Sequence, residues 1–203
     1  MSNSISLNPM ATTTASGLFA VNSGGFTQGD AQDDPAVKFA LCGGVWATDN
    51  TSPVWGGMPI VETIPLDSAG NNVGLGAPIY AAAADYAPTG ICVFNQAFGG
   101  ITTPQSNAPL FSGGMSVNYY RFGSGARIPL PINPALTLQG ETIASAPLYW
   151  DFVNNWITGT GTTTAFPVKI LKITLTKNLL VSYDSVTGNA NWTNTGALAL
   201  CLI

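Results

Sequence analysis

The chain has 203 residues, of which 46% are hydrophobic but only 8% are charged, whereas an average soluble protein carries about 25% charged residues. The hydrophobic content argues against disorder, and no run approaches the ~18 apolar residues that a membrane-spanning helix needs. Six Lys and Arg, a net charge of -4 and the absence of His argue against phosphate-driven nucleic-acid binding, His-dependent catalytic triads and imidazole metal sites. We therefore expect one domain, with at most an appended arm.

The N-terminal residues differ in composition from the rest of the chain. Residues 1–29 contain no charged side chain and only isolated large apolar ones, among them Leu18, Phe19 and Phe26. Such a segment alone cannot offset the entropy of ordering, about 1–2 kcal/mol per residue. We predict that residues 1–35 form an extended arm and residues 36–203 a single β-rich domain. Two states of this arm are equally favoured. It is either free and flexible, or it becomes ordered against a partner through Leu18, Phe19 and Phe26.

Short strand patterns follow, separated by 23 Gly and 14 Pro residues. Residues 41–47, 91–98 and 115–122 are predicted to be strands, and the Gly43-Gly44 pair predicts a bulge or bend in the first. The alanine-rich run at 79–87, closed by Pro88, is compatible with either two helical turns or a coil. Residues 158–164, rich in Thr and Gly, are predicted to be a mobile loop between strands.

The C-terminal third carries the clearest alternation. Residues 171–176 place Leu171, Ile173 and Leu175 on one face, as a half-buried antiparallel strand requires. Lys177-Asn178 then predicts a tight hairpin to a strand at 179–183, and residues 187–189 predict a second turn. The apolar residues 197–203 suit a central strand. The sequence therefore predicts an all-β fold, an antiparallel β-sandwich or β-barrel-like domain with an extended N-terminal arm.

Few residues suggest chemistry. The cluster of Asp30, Asp33 and Asp34 lacks the spacing of a calcium loop and is interpreted as a solvated turn. A glycosidase would need two carboxylates from Glu62, Glu141 and Asp151, with Trp150 and Trp156 as stacking faces, but no spacing unites them. The cysteines are expected to be small buried hydrophobes: Cys42, Cys92 and Cys201. No catalytic residue, cofactor-binding residue or metal ligand is predicted.

Two arginines stand out after a long uncharged stretch. Arg121 and Arg127 flank residues 122–126 and follow Tyr119 and Tyr120, on which a guanidinium can stack. They are either satisfied within their own fold, which we favour, or contact another subunit. Because interface cores are poor in charge and rich in aromatic residues and Arg, we predict a protein-interaction set beyond the arm: Trp55, Tyr119, Tyr120, Arg121 and Arg127.

Three segments of the predicted domain suggest a family. They are Trp-Gly-Gly-Met-Pro-Ile-Val-Glu-Thr-Ile-Pro at 55–65, Val-Phe-Asn-Gln at 93–96 and Met-Ser-Val-Asn-Tyr-Tyr-Arg-Phe-Gly-Ser-Gly-Ala-Arg-Ile-Pro at 115–129. With the ending at 191–197, they resemble head proteins of tailed bacteriophages, and specifically the small cement (decoration) proteins of podophage-like and related capsids. The likeness covers about residues 40–203. It implies a β-rich protein that coats the outer shell and clamps neighbouring major capsid subunits.

The resulting expectation is a structural virion protein, not an enzyme and without a cofactor. Its expected partners are the major capsid protein and neighbouring copies of itself, a trimer being favoured over a dimer, with no direct nucleic-acid contact and no membrane. The expected location is the outer capsid surface after synthesis in the host cytoplasm, since the N-terminus lacks the features of a signal peptide. Five Trp and six Tyr residues keep a receptor- or carbohydrate-binding virion module as the alternative, and a glycan hydrolase is a third, weaker one.

Overall fold

The computed structural model describes residues 12–13, 20–21, 25–32, 35–64, 77–83, 86–94, 102, 106–136, 147–161 and 165–203. Regular structure in this part of the chain is almost entirely β, and the predicted all-β class is confirmed. One four-residue helix, α1 (Pro35–Lys38), is described. The strands are β1 (Thr12–Thr13), β2 (Ala20–Val21), β3 (Leu41–Trp46), β4 (Pro59–Glu62), β5 (Ala77–Ala81), β6 (Gly90–Val93), β7 (Ser116–Arg121), β8 (Arg127–Ile132), β9 (Tyr149–Asp151), β10 (Trp156–Thr158), β11 (Lys169–Asp184) and β12 (Asn189–Leu202).

Five strands close into a small barrel in the order β3-β5-β4-β6-β7. Closure removes free sheet edges, which otherwise invite pairing with other chains. All of its pairs are antiparallel except β3 with β5, where Val45 lies beside Pro78. Residues 79–81 belong to β5, so this part of the run is a strand and neither of the two predicted alternatives, a helix or a coil.

A second, five-stranded sheet follows the order β11-β12-β8-β10-β9. Next to its edge strand β11 lies β12, which pairs with both β11 and β8. Ala197, Leu198, Ala199 and Cys201 are all buried, as expected for an interior strand near the C-terminus. The strands β8 and β10 run parallel to each other, and the strands β1 and β2 form a separate two-stranded ribbon.

Two apolar cores result from alternation along the barrel strands. Cys92 and Tyr119 face the barrel interior with Trp46, Ile60 and Phe111. Their neighbours Ile91 and Tyr120 face outward, against the second sheet. Both faces of β6 are buried, so this strand lies between the two cores, in each of which burying a large apolar side chain contributes about 1.5–3 kcal/mol.

The predicted hairpin at Lys177-Asn178 is wrong. Residues 171–176 and 179–183 belong to one strand, β11, and both pair with β12. Thr176 lies opposite Thr195 and Leu180 opposite Thr193, so residues 177–179 of β11 face a single residue of β12 and form a bulge, in which Lys177 has φ 62°. The turn predicted at 187–189 is confirmed at its place between β11 and β12, where the Gly188 amide donates to the Asp184 carbonyl over 2.8 Å.

The shared apolar face predicted for Leu171, Ile173 and Leu175 is also wrong. Ile170 pairs with Cys201 and Lys172 with Leu200, so Leu171 is an extra residue in β11. A second register shift, between Thr174 and Thr176, lies between Ile173 and the pairs that follow Leu175. Leu171 is 44% and Leu175 62% exposed, whereas Ile173 is partly buried. The strand predictions at 41–47 and 115–122 agree with β3 and β7, and that at 91–98 agrees with β6 as far as Val93.

Residues 25–32, which lie within the predicted arm, pack against the chain's own domain. The Phe26 carbonyl accepts from the Leu179 amide at 2.8 Å, and the Gln28 amide donates to the Leu179 carbonyl at 2.9 Å. The Gln28 side chain is 2% exposed; its Nε2 donates to the Gly56 carbonyl and its Oε1 accepts from the Val181 amide. This segment therefore links the barrel side of the molecule to β11.

Candidate functional site

The predicted interaction residues do not come together on one surface. Leu18 and Phe19 lie outside the described residues, and Phe26 is partly buried beneath the Lys172 ammonium, 5.8 Å from its ring centroid. Trp55, Tyr119 and Tyr120 are at most 5% exposed and belong to the two cores. Arg127 is half-buried in β8, and its carbonyl accepts from the Gln32 amide. Of the described members of the set, only Arg121 is largely exposed.

Arg121 closes one end of the barrel by pairing with Glu62. Its Nε and Nη2 donate to the two oxygens of Glu62 at 2.6 and 2.5 Å, a bidentate geometry. Glu62 follows Ile60 by two residues and Arg121 follows Tyr119 by two, so alternation places both on the side of the barrel interior. The Arg121 hydrogen bonds, together with the Tyr119 hydroxyl, hold the pKa of Glu62 below its usual range. This contact supports the interpretation that Arg121 is satisfied within its own fold.

Replacing Arg121 by Gln is expected to lower the free energy of unfolding by about 0.5–1 kcal/mol near pH 7, because the pair is bidentate but partly solvated. The Glu62 pKa is lowered in the folded chain, so the stabilisation is complete above the pKa of the unfolded state and disappears as the pH falls through the folded value. Urea unfolding near pH 7 and near pH 3 tests this, with Lys169→Gln as the control for loss of one positive charge. A loss of stability that is equal at both pH values would contradict it.

The carboxylates considered for glycoside hydrolysis have structural roles where they are described. The Asp151 carboxylate accepts from the side chain of Asn154 and from the amides of Val153 and Asn154, and these bonds lower its pKa. Glu62 is paired with Arg121, and Glu141 lies outside the described residues. A glycosidase acid must stay protonated near neutral pH, so the lowered pKa values of Glu62 and Asp151 suit neither residue to that role. Within the described ranges no cluster of three potential metal ligands occurs.

Burial disfavours the thiolate form of two cysteines. Cys92 and Cys201 are fully buried, and burial raises the pKa of both thiols. Since the thiolate is the nucleophile and the metal ligand, both side chains act as small apolar groups in the core. Cys42 is partly buried, and its thiol lies 3.5 Å from the Ala40 carbonyl.

A cavity of about 510 Å³ opens beside the second sheet and is called the aromatic groove below. Its aromatic lining consists of Trp55, Trp156 and Tyr183, and the rings of Trp55 and Tyr183 are 5.2 Å apart at an interplanar angle of 36°. Neutral polar residues complete the lining, among them Gln28, Asn154, Ser182 and Thr193. The volume lies within the range of about 300–1,000 Å³ that is usual for small-ligand pockets.

Two indole nitrogens in the groove wall lack a hydrogen-bond partner among the described residues. They are the buried Nε1 atoms of Trp55 and Trp156. The Trp156 nitrogen lies near enough to the Asp151 carboxylate to help lower its pKa, but does not reach hydrogen-bonding geometry. An unsatisfied buried donor costs about 1–3 kcal/mol, so the wall carries two donors that an occupant could satisfy. The sequence suggested Trp150 and Trp156 as sugar-stacking faces, but Trp150 is buried in the core, and no sequence pattern singles out Tyr183.

A second candidate surface is the outer edge of the second sheet at residues 169–177, called the β11 edge below. No described strand pairs with this edge, although Gly25 lies against the Lys177 backbone at its end and the bridge from Thr27 to Leu179 covers the strand just beyond it. Its side chains include the exposed Leu171 and Leu175. Lys169, Lys172 and Lys177 on the same stretch are three of the six basic residues in the chain.

Comparisons with protein-family models, with curated proteins and with solved structures find no match to this chain. Among the described residues, no helix has the length and apolar character needed to cross a membrane.

Proposed function

We propose that this chain is a non-enzymatic structural protein of a virion, a cement (decoration) protein that binds the outer capsid surface and bridges major capsid protein subunits. The observation that carries the proposal is the β11 edge, where exposed Leu171 and Leu175 lie on a strand edge with which no described strand pairs. The resemblance of residues 40–203 to phage cement proteins supports the choice of partner.

The charge content of the chain fits a surface committed to other subunits. Only 8% of residues are charged, and several large apolar side chains are exposed, including Phe39 at 95% and Leu175 at 62%. Interface cores are depleted in charge, and a free protein with such a surface tends to associate. Stable residence in an assembly would cover these side chains.

Strand addition is the binding mode that the β11 edge favours. An unpaired edge offers backbone N–H and C=O groups to an extended segment of a partner, while alternate side chains supply specificity. Lysines on an edge oppose pairing with a second copy of the same edge, because like charges would face each other. Lys169, Lys172 and Lys177 would instead attract an acidic segment, so we infer that the edge receives the major capsid protein and that contacts between copies use another surface.

The proposed protein would stabilise the capsid mechanically, by holding neighbouring subunits together. Each contact of typical size buries about 800 Å² per partner. Because a bridging protein engages two capsid subunits at once, separating those subunits requires breaking both contacts, and modest affinities combine. The acidic character of the chain, with a net charge of -4, suits an outer position better than a lining against DNA.

The proposal predicts that purified protein binds capsids that lack it and delays their disruption by heat or chelator. Leu175→Glu, which places a negative charge on the β11 edge, is expected to weaken capsid binding at least tenfold, a loss of about 1.4 kcal/mol. Its own stability should change by less than about 0.5 kcal/mol, since Leu175 is 62% exposed. Sedimentation of protein with capsids measures the binding.

Val186→Glu is the matched control, because Val186 is 92% exposed at the β11–β12 turn and the charge change is the same. It is expected to bind capsids as the unmodified chain does. Failure of the unmodified chain to bind or protect capsids would overturn the proposed function. Normal capsid binding by Leu175→Glu would overturn the β11 edge as the contact.

A further inference from the structure

The aromatic groove combines flat aromatic faces with neutral polar groups. Trp156 begins β10, and Tyr183 lies near the end of β11; both are partly exposed, so their rings are accessible from the groove. Trp55, whose ring is tilted by 36° against that of Tyr183, is 5% exposed and packs against it. A flat, partly exposed aromatic face binds flat apolar faces of a ligand at little entropic cost.

The polar part of the lining is neutral throughout. The amides of Asn154 and Asn155 and the hydroxyls of Ser182, Thr193 and Thr195 offer both donors and acceptors. No charged side chain lines the groove among the described residues. An anionic ligand would lose its hydration there without an Arg or Lys to compensate, so the lining selects an uncharged ligand.

We propose that the aromatic groove binds a neutral saccharide. A pyranose ring has an apolar C–H face, which can stack on Trp156 or Tyr183, and equatorial hydroxyls, which can exchange hydrogen bonds with the amides and hydroxyls of the rim. This goes beyond the proposed capsid role, since the groove and the β11 edge involve different residues of β11, 180–183 and 169–177.

The two indole N–H groups without a described partner indicate where hydroxyls of the ligand would accept hydrogen bonds. The Nε1 atoms of Trp55 and Trp156 are buried, so a ligand in the groove reaches them only after side chains of the wall shift. The turn before Trp156 contains Asn155 at φ 55° and Val153 at 88% exposure, so this part of the wall is open to solvent. A hydroxyl accepting from either indole would satisfy a donor that has no described partner.

The test is an array of neutral oligosaccharides of glucose, galactose and N-acetylglucosamine, with sialylated and sulfated sugars as charged counterparts, probed with the full chain. We expect saturable binding of at least one neutral sugar and weaker binding of the charged forms. In NMR spectra, the indole N–H signals of Trp55 and Trp156 should shift on titration, while that of the core residue Trp46 should not.

Two variants address the groove and one serves as control. Trp156→Ala removes a stacking face, and Ser182→Tyr fills the groove from an exposed strand position that tolerates an aromatic residue. Each should weaken sugar binding at least tenfold, whereas Tyr86→Ala, which removes an aromatic ring 67% exposed outside the groove, should leave it within twofold. Absence of neutral-sugar binding, preference for charged sugars, or retained binding in Ser182→Tyr would overturn the inference. Capsid binding by these variants should equal that of the unmodified chain, which separates this result from the proposed function.

Discussion

Replacing Gly29 by Ala is expected to lower the free energy of unfolding by about 3–5 kcal/mol, in the range of changes that strain a buried backbone. Gly29 has φ 69°, and a Cβ atom there would lie 2.2 Å from the carbonyl carbon of Gly56 and 2.4 Å from the amide nitrogen of Gly57. Both are backbone atoms, so no side-chain rotation relieves the overlap. Strain from the positive φ adds about 1–2 kcal/mol.

The loss should extend beyond one contact, because Gly29 connects the two halves of the fold. Its amide donates to the Pro129 carbonyl of β8, and its carbonyl accepts from the Phe94 amide that follows β6, both at 2.9 Å. Moving the segment to make room for a methyl group would break both bonds. We therefore expect faster exchange of the amides of residue 29 and Phe94 in the variant, together with the lower stability.

Gly188→Ala separates the two causes. Gly188 has φ 71°, almost the same as Gly29, but a Cβ atom added there would meet no atom within 4 Å outside its immediate neighbours. This control therefore carries only the backbone strain and should cost about 1–2 kcal/mol. Denaturant unfolding measures both variants. Equal losses at the two positions would contradict the proposed clash.

The strands that were predictable are those whose burial follows from local pattern. Successive side chains of residues 115–122 point to opposite faces of the strand, and residues 197–203 are apolar on both faces. The local residue pattern therefore already distinguishes both segments from loops. The Thr-Gly-Asn turn at 187–189 is equally local, since the Asp184 carboxylate accepts from the Val186 amide and the Thr187 hydroxyl nearby.

The errors in β11 have a common physical origin. Lys-Asn between two apolar runs has the composition of a hairpin turn, and only tertiary contacts distinguish the bulge from it. The Asn178 side chain bonds the Phe26 amide, 152 residues away in sequence, and the bulge at Leu171 depends on pairing with β12. Neither contact has a local signature, and the pairing of β11 with β12 shifts register at three places that a regular alternation does not predict.

The candidate site was predictable only in its parts. Their aromatic side chains made Trp55 and Trp156 candidates for contact with a partner or ligand. The groove itself forms because four separate segments meet, which contribute Gln28, Trp55, Trp156 and Tyr183. Composition could not distinguish these residues from Trp150 or Tyr119, which pack inside. Whether an aromatic side chain lies in a core or at a surface depends on register, and a shift of one residue reverses the outcome.

Asn178→Leu is expected to cost about 3–5 kcal/mol, because an apolar side chain of similar size leaves three backbone groups without their partner. Asn178 is 0% exposed; its Nδ2 donates to the carbonyls of Thr174 at 2.7 Å and Gly196 at 3.0 Å, and its Oδ1 accepts from the Phe26 amide at 3.1 Å. These bonds hold the bulge closed on both sides and anchor the start of the 25–32 segment.

Asn194→Leu provides the matched control, since the same replacement at an exposed position of β12 should change stability by less than about 0.5 kcal/mol. Asn178→Asp tests the donated hydrogen bonds separately from the accepted one. A carboxylate at this position still accepts from the Phe26 amide but cannot donate to the carbonyls of Thr174 and Gly196. Its charge would also be buried, with no described cation beside it. Asp should therefore be as damaging as Leu near pH 7 and less damaging in acid, where the protonated carboxyl can donate one bond. Urea unfolding at both pH values measures this order, and a small, pH-independent loss for both variants would show that the bulge does not depend on Asn178.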